Sequence, residues 1–223
     1  MDRFKRRIGK RLGVFGMVFF AVVGLVAYQS FCMQARAARL QISDAERVDF
    51  RPMSSNGEVA YLTDGDFLAS SKTAYGTILK DTTASGSNIT LRSEGKNQVF
   101  ERGIWAHATS NVDFDLRQYH GKYGYLMVYV GLNKTANSAG SVKFSVFTSD
   151  AEMAPTVVTG WTVLPEMNGE LMTVNMDAKL LKIDIRDVNY IRFYADANGS
   201  NSNDHAVYGD LMLVTEEYGA HDY

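Results

Sequence analysis

Short runs of β-branched and aromatic residues recur from residue 58 to residue 214, separated by Gly, Asn, Asp and Ser. Several runs alternate apolar and polar residues, as in Val142, Phe144 and Val146 with Lys143 and Ser145 between them. This alternation predicts strands with one buried and one solvated face. Many short strands without a long amphipathic helix predict an all-β sandwich or jelly roll. The predicted strands lie near residues 58–62, 89–92, 98–106, 110–115, 122–131, 141–148, 157–164, 170–176, 179–186, 190–195 and 206–214.

One pair of strands carries a strong turn signal. Asn168 and Gly169 stand between the predicted strands 157–164 and 170–176. Because Asn-Gly readily adopts the positive φ angles of a two-residue turn, this dipeptide predicts a β-hairpin.

The N-terminus predicts an anchor or an export signal. A basic segment at residues 1–11 precedes an uncharged, largely apolar run from Leu12 to Met33. Roughly 20 apolar residues of helix span a bilayer. The positive-inside rule keeps the basic segment in the cytoplasm and places the C-terminal domain outside. The run is therefore interpreted as a single transmembrane helix of the cell membrane or, if cleaved at Ala35-Arg36-Ala37, as a signal sequence of a secreted protein.

Charge and cysteine content limit the expected partners and indicate how the folded domain is stabilised. After Ala37 the chain contains 16 basic and 24 acidic residues, and such an acidic domain excludes nucleic acid as the expected partner. The single cysteine, Cys32, lies in the apolar run. The folded domain is therefore expected to be stabilised by its core alone.

The remaining segments complete the predicted organisation. Residues 34–57 contain many helix-forming residues, then Arg51-Pro52, and are interpreted as a partly helical stalk or linker. The β-rich domain is expected to span residues 58–216, and residues 217–223 form a tail.

Three stretches carry a family resemblance. They are Tyr61-Leu62-Thr63-Asp64, the run from Gly103 through Trp105 and His107 to Ala108, and the run from Asp204 to Asp210. Together they resemble the NPCBM family of carbohydrate-binding modules over about residues 59–214. The resemblance implies a galactose-binding-like β-sandwich and a glycan ligand of the galactose type. Together with the N-terminal segment, which places the domain outside, this predicts a module displayed at the cell surface. Three positions depart from the family pattern, which has glycine at Trp105, aspartate near Asn133 and tryptophan at Tyr208.

Aromatic and planar polar side chains are the candidates for sugar binding. An aromatic ring stacks on the apolar face of a pyranose, while planar polar groups bind its hydroxyls. The alternative for each aromatic is a place in the core, and the alternative for His107 is a structural role through hydrogen bonds, which we favour. The candidates are Trp105, Trp161 and Tyr208, with Tyr75 and Tyr119 as further aromatics, and Arg102, His107, Asp204 and His205.

The polar run at residues 196–205 raises the question of a cation. Its oxygen-rich side chains are of the type that calcium prefers, but EF-hand spacing is missing. A polar turn that satisfies its own backbone is the favoured interpretation. No cofactor is therefore predicted, and calcium is the weaker alternative.

Catalytic signatures do not support an enzyme. The domain sequence contains no Gly-x-Ser-x-Gly elbow, no P-loop and no nucleophilic cysteine. A non-catalytic glycan-binding module is the main hypothesis. The alternatives are a surface-assembly or scaffold protein with a protein partner and, third, a diverged glycoside hydrolase with two carboxylates.

Overall fold

The computed structural model describes residues 59–134, 136, 140–200 and 202–216. The predicted cytoplasmic segment 1–11, membrane segment 12–33, linker 34–57 and tail 217–223 all lie outside these residues. Within the described ranges, no helix has the length and apolar character needed to cross a membrane.

Thirteen strands are present in the described part of the chain, with three 3-10 turns at Leu62–Asp64, Arg117–Tyr119 and Val158–Gly160. The strands are β1 (Val59–Tyr61), β2 (Lys72–Thr73), β3 (Leu79–Lys80), β4 (Ile89–Ser93), β5 (Lys96–Phe100), β6 (Gly103–His107), β7 (Ser110–Asp115), β8 (Tyr125–Leu132), β9 (Ser141–Ser149), β10 (Thr162–Thr173), β11 (Lys179–Asp184), β12 (Tyr190–Asp196) and β13 (His205–Val214).

The strands form two principal sheets that face each other. Sheet A has the order β11-β8-β13-β6-β3, and β1 also pairs with β13. Sheet B has the order β10-β9-β12-β7-β2. Strands β4 and β5 form a separate hairpin. The predicted all-β sandwich is confirmed.

The core lies between the inner faces of the two sheets. Ile104 and Val128 of sheet A and Val112, Phe144 and Phe193 of sheet B belong to one buried apolar cluster. Burial of such side chains contributes about 1.5–3 kcal/mol each relative to exposure. The alternation seen in the sequence therefore specifies which face of each strand enters this core.

Tyr208 belongs to this core, which corrects its prediction as a sugar-binding residue. Its ring lies 4.9 Å from that of Phe193 and 5.9 Å from that of Phe144, centroid to centroid. The side chain is fully buried, and burial raises the pKa of its hydroxyl. Tyr208 has this position because alternate residues of β13 face inward, and its ring cannot reach a ligand at the surface.

The predicted hairpin at Asn168-Gly169 is wrong. Strand β10 continues through both residues, and its register with β9 shifts on either side of Asn168. Gly169 has φ +69°, and its N–H donates to Ser145 Oγ at 2.9 Å. Some β-bulges, like the tight hairpin turns, use a glycine with positive φ, so the same dipeptide serves here inside a strand.

Candidate functional site

Strands β6 and β13 bring three predicted site residues together. The two strands pair so that His205 faces His107, and Val207 faces Trp105. The Trp105 and His205 rings lie 5.3 Å apart, the two histidine rings 5.4 Å apart, and Trp105 and His107 6.3 Å apart. These side chains project from the outer face of sheet A because they alternate with the core residues of their strands.

Tyr75 completes this group at the protein surface. Its ring lies 5.6 Å from that of His107 at an angle of 62°, and the residue is 70% exposed. Thr73 Oγ1 donates to the His107 carbonyl at 2.6 Å, and the Ala74 N–H donates to Thr109 O at 2.7 Å. These bonds fix the chain that carries Tyr75. We call Tyr75, Trp105, His107 and His205 the histidine–aromatic cluster.

The rings of the cluster differ in exposure. Trp105 is only 4% exposed and packs against Phe100 and Tyr129 beneath the β4–β5 hairpin. His107 is 9% exposed, and its Nδ1 donates to the Ala108 carbonyl at 2.9 Å. In the neutral imidazole with its proton on Nδ1, Nε2 is a hydrogen-bond acceptor. Trp105 and His107 thus form the inner wall of the cluster, and Tyr75 is its exposed ring.

Two polar atoms in the cluster are buried without a hydrogen-bond partner among the described residues. They are Trp105 Nε1 and His205 Nδ1. Burial, with a smaller contribution from the charge of His107, lowers the pKa of His205. A buried polar atom left unpaired costs about 1–3 kcal/mol, so a bound hydroxyl or water that reached either atom would be favourable.

Asp204 lies directly before His205 but is fully buried. Its Oδ1 accepts from the Ser141 N–H at 2.8 Å, and its backbone carbonyl accepts from the Ala108 N–H at 2.9 Å. Burial raises its pKa, opposed in part by the Ser141 hydrogen bond and the charge of His107. Oδ2 has no partner among the described residues. Asp204 therefore ties β9 and the end of β6 to β13, and it positions His205.

Arg102 does not join the cluster. It precedes the first residue of β6, and five residues of extended chain separate it from His107 by roughly 16 Å. Its guanidinium pairs with Asp64 and lies 4.9 Å from the centre of the Tyr61 ring. That hydrogen bond to Asp64 raises the pKa of Arg102.

Trp161 lies at the other sheet, directly before β10. It covers the Arg192 guanidinium, which lies 4.5 Å from the centre of its ring, on the outer face of sheet B. Arg192 Nε and Nη2 each donate to a different oxygen of Asp113 at 2.7 Å. Asp113 is 0% exposed, so this is a buried ion pair with a tryptophan over it.

An open cleft of about 580 Å³ adjoins this ion pair. The sequence did not single it out, although Arg192 and Tyr194 alternate with the core residues Ile191 and Phe193 along β12. That alternation places both side chains on the outer face, but the residues opposite them come from distant strands. We call it the sheet B cleft, and its lining residues are Lys72, Thr73, Ala74, Thr109, Ser110, Asn111, Phe147, Trp161, Arg192 and Tyr194.

The polar run at 196–205 makes local backbone contacts. Asp196 Oδ1 accepts from the Asn198 N–H at 2.8 Å, and Asn198 and Asn203 have φ of +46° and +64°. Asx turns and left-handed asparagines of this kind satisfy a loop's own backbone. Within the described residues, no three His, Cys, Asp or Glu side chains are grouped closely enough to hold a metal ion.

Residues 58–214 match the NPCBM/NEW2 domain family. The chain belongs to this family. The resemblance noted in the sequence is thereby confirmed. Comparison with curated protein sequences finds no match.

CBM51 modules are among the solved structures with the same fold. The CBM51 of Clostridium perfringens GH95, in complex with methyl-galactose, is 27% identical with a TM-score of 0.59 and aligns over 70% of this chain and 99% of that module. The CBM51-2 and INT domains of Clostridium perfringens ZmpB, in complex with GlcNAc, are 25% identical with a TM-score of 0.56. The alignment covers 70% of this chain and 31% of that chain. The tandem CBM51 modules of Sp3GH98 from Streptococcus pneumoniae show the shared fold, with 20% identity and a TM-score of 0.54. The alignment covers 70% of this chain and 47% of that chain.

Proposed function

We propose that this chain is a non-catalytic carbohydrate-binding module that takes a galactose-type sugar at the histidine–aromatic cluster. The observation that carries the proposal is the exposed ring of Tyr75 against His107, with Trp105 and His205 behind them. Membership of the NPCBM/NEW2 family supports it, as does the similarity to a CBM51 that binds methyl-galactose.

The chemistry of the cluster suits a pyranose. The C–H face of the sugar packs on Tyr75, because an aromatic ring offers a flat apolar surface there. A sugar hydroxyl donates to His107 Nε2, since Nδ1 is already engaged with Ala108 O. A site with one exposed ring buries little area, so weak binding of a single sugar is expected.

We propose that the module is displayed outside the cell. The basic segment 1–11 and the apolar run from Leu12 to Met33 support a single-pass membrane anchor, or secretion if that run is cleaved. Protease digestion of intact cells tests this proposal. Cleavage of the domain without lysis is expected, and full protection until lysis would contradict it.

Calorimetric titration of the full chain with methyl-galactoside tests the sugar site. Tyr75→Ala is expected to weaken binding about tenfold or more, since stacking contributes about 0.5–1.5 kcal/mol beyond the area buried. Its thermal unfolding should not change, because Tyr75 is exposed.

Met153→Ala is the matched control, because Met153 is also a large exposed side chain, at 81%, and is not one of the cluster residues. Equal affinity of wild type and Tyr75→Ala would place the sugar elsewhere. If no galactose-, N-acetylhexosamine- or fucose-containing ligand bound, carbohydrate recognition itself would be wrong.

A further inference from the structure

The sheet B cleft and the histidine–aromatic cluster share two chain segments. Ala74 lines the cleft, and the next residue, Tyr75, is the exposed ring of the cluster. Thr109 also lines the cleft, while the carbonyl of the preceding residue, Ala108, accepts from His107. Consecutive Cα atoms lie at most about 3.8 Å apart, so the two sites adjoin at residues 74–75 and 108–109. A ligand longer than one sugar at the cluster would extend along this rim.

The walls of the cleft are held rigidly. Trp161 lies over Arg192, and Arg192 is fixed by two hydrogen bonds to Asp113. On the same face the Phe147 and Tyr194 rings meet edge to face, 6.4 Å apart. Because these rings are already positioned, a ligand that stacks on them has little ordering cost to overcome. The volume of about 580 Å³ lies within the range of small-molecule sites, about 300–1,000 Å³.

Several polar groups of the lining are already engaged within the protein, while Ser110 Oγ and Trp161 Nε1 are buried without a partner among the described residues. Arg192 bonds to Asp113, Asn111 Nδ2 donates to Ser70 O at 2.9 Å, and Thr73 Oγ1 donates to the His107 carbonyl. Lys72 is the exposed cation of the rim. A sugar ring that presented only hydroxyls to the aromatic walls would lose water partners without replacing them. An acetamido group offers a methyl to those walls. Its N–H stays in contact with water at the open side of the cleft, and its carbonyl can accept from Lys72.

We propose that the sheet B cleft is a second subsite, which takes the sugar next to the terminal residue and favours an N-acetylated hexose. This inference rests on the proposed function, since the terminal sugar is held at the histidine–aromatic cluster. Phe147, Tyr194 and Trp161 contact the acetamido methyl and the sugar ring. The module then recognises the pair of residues at the end of a glycan.

Three ligands test the inference by calorimetric titration of the full chain: methyl-galactoside, galactosyl-glucose and galactosyl-N-acetylglucosamine. The two disaccharides differ at one substituent, a hydroxyl or an acetamido group. The N-acetylated disaccharide is expected to bind about tenfold more tightly than the other. Phe147→Ala and, separately, Tyr194→Ala should abolish that preference and leave the affinity for methyl-galactoside unchanged. Leu171→Ala is the control, because Leu171 is an exposed apolar side chain of sheet B that does not line the cleft.

The outcomes separate the two proposals. If both disaccharides bind no more tightly than methyl-galactoside, or if the preference persists in both cleft variants, the second subsite is overturned and the galactose site stands. If either variant also loses methyl-galactoside while its thermal unfolding is unchanged, the two sites are not distinct and the inference fails. If no galactoside binds the wild type, both proposals fail together.

Discussion

Two tryptophans lie on the outer faces of opposite sheets, and the polar groups beside them differ in how they are paired. Trp161 covers Arg192, whose guanidinium makes two hydrogen bonds to the buried Asp113. Trp105 lies beside His205, and Trp105 Nε1 and His205 Nδ1 have no partner among the described residues.

The difference distinguishes a charged pair whose role is structural from polar atoms that can still bind a ligand. A buried ion pair with its hydrogen bonds complete costs a great deal to break, so the Asp113–Arg192 pair maintains the shape of sheet B. Unpaired buried polar atoms lower the stability of the fold, but they retain the capacity to bind a ligand or a water molecule. Trp161 Nε1 is also unpaired, so the distinction concerns the charged pair and not the indole itself.

The largest expected effect comes from breaking the ion pair. Asp113→Ala should lower the free energy of unfolding by about 3–5 kcal/mol, because it leaves the Arg192 charge buried without a partner. Urea denaturation measures the loss. Asp66→Ala is the control, since Asp66 is fully exposed and lies 3.8 Å from Lys80, and it should cost about 1 kcal/mol or less. Similar losses of unfolding free energy in both variants would show that the buried ion pair contributes no more to stability than the exposed one.

A smaller effect of opposite sign is expected at an unpaired hydroxyl. Tyr208→Phe removes a buried hydroxyl that has no partner among the described residues, and it should raise the free energy of unfolding by about 1 kcal/mol. Tyr190→Phe is the matched control, because the equally buried Tyr190 hydroxyl lies 3.4 Å from Glu152 O. Urea denaturation measures both variants. A larger loss of unfolding free energy in Tyr208→Phe than in Tyr190→Phe would contradict the prediction.

The smallest effect concerns pH. Burial lowers the pKa of His205 below its ordinary value of 6.5, so between the two values the unfolded chain binds the extra proton. The contribution of His205 to stability is therefore complete above pH 6.5 and is lost as the pH falls toward the lowered pKa. Unfolding of wild type and His205→Gln, compared across this range, should show a steeper pH dependence in the wild type. Parallel curves would mean that His205 is as well solvated as in the unfolded chain.

Alternation in the sequence was sufficient to predict the sandwich, and it also placed Trp105 and His107 on one face of a strand. It could not identify Tyr208 as a core residue, because aromatic side chains serve both the core and the surface. The Asp113–Arg192 pair joins residues 79 positions apart, and no local pattern reveals which strands become neighbours. The two-residue strands β2 and β3 are too short to show any periodicity.

The most direct test of the sugar site uses the indole N–H signals in nuclear magnetic resonance spectra of the full chain. Only two are expected, because the sequence contains two tryptophans, Trp105 and Trp161, and Trp161→Phe assigns them. Addition of methyl-galactoside should shift the Trp105 signal and leave that of Trp161 in place. A shift of Trp161 alone, or binding that moves neither signal, would contradict recognition at the histidine–aromatic cluster.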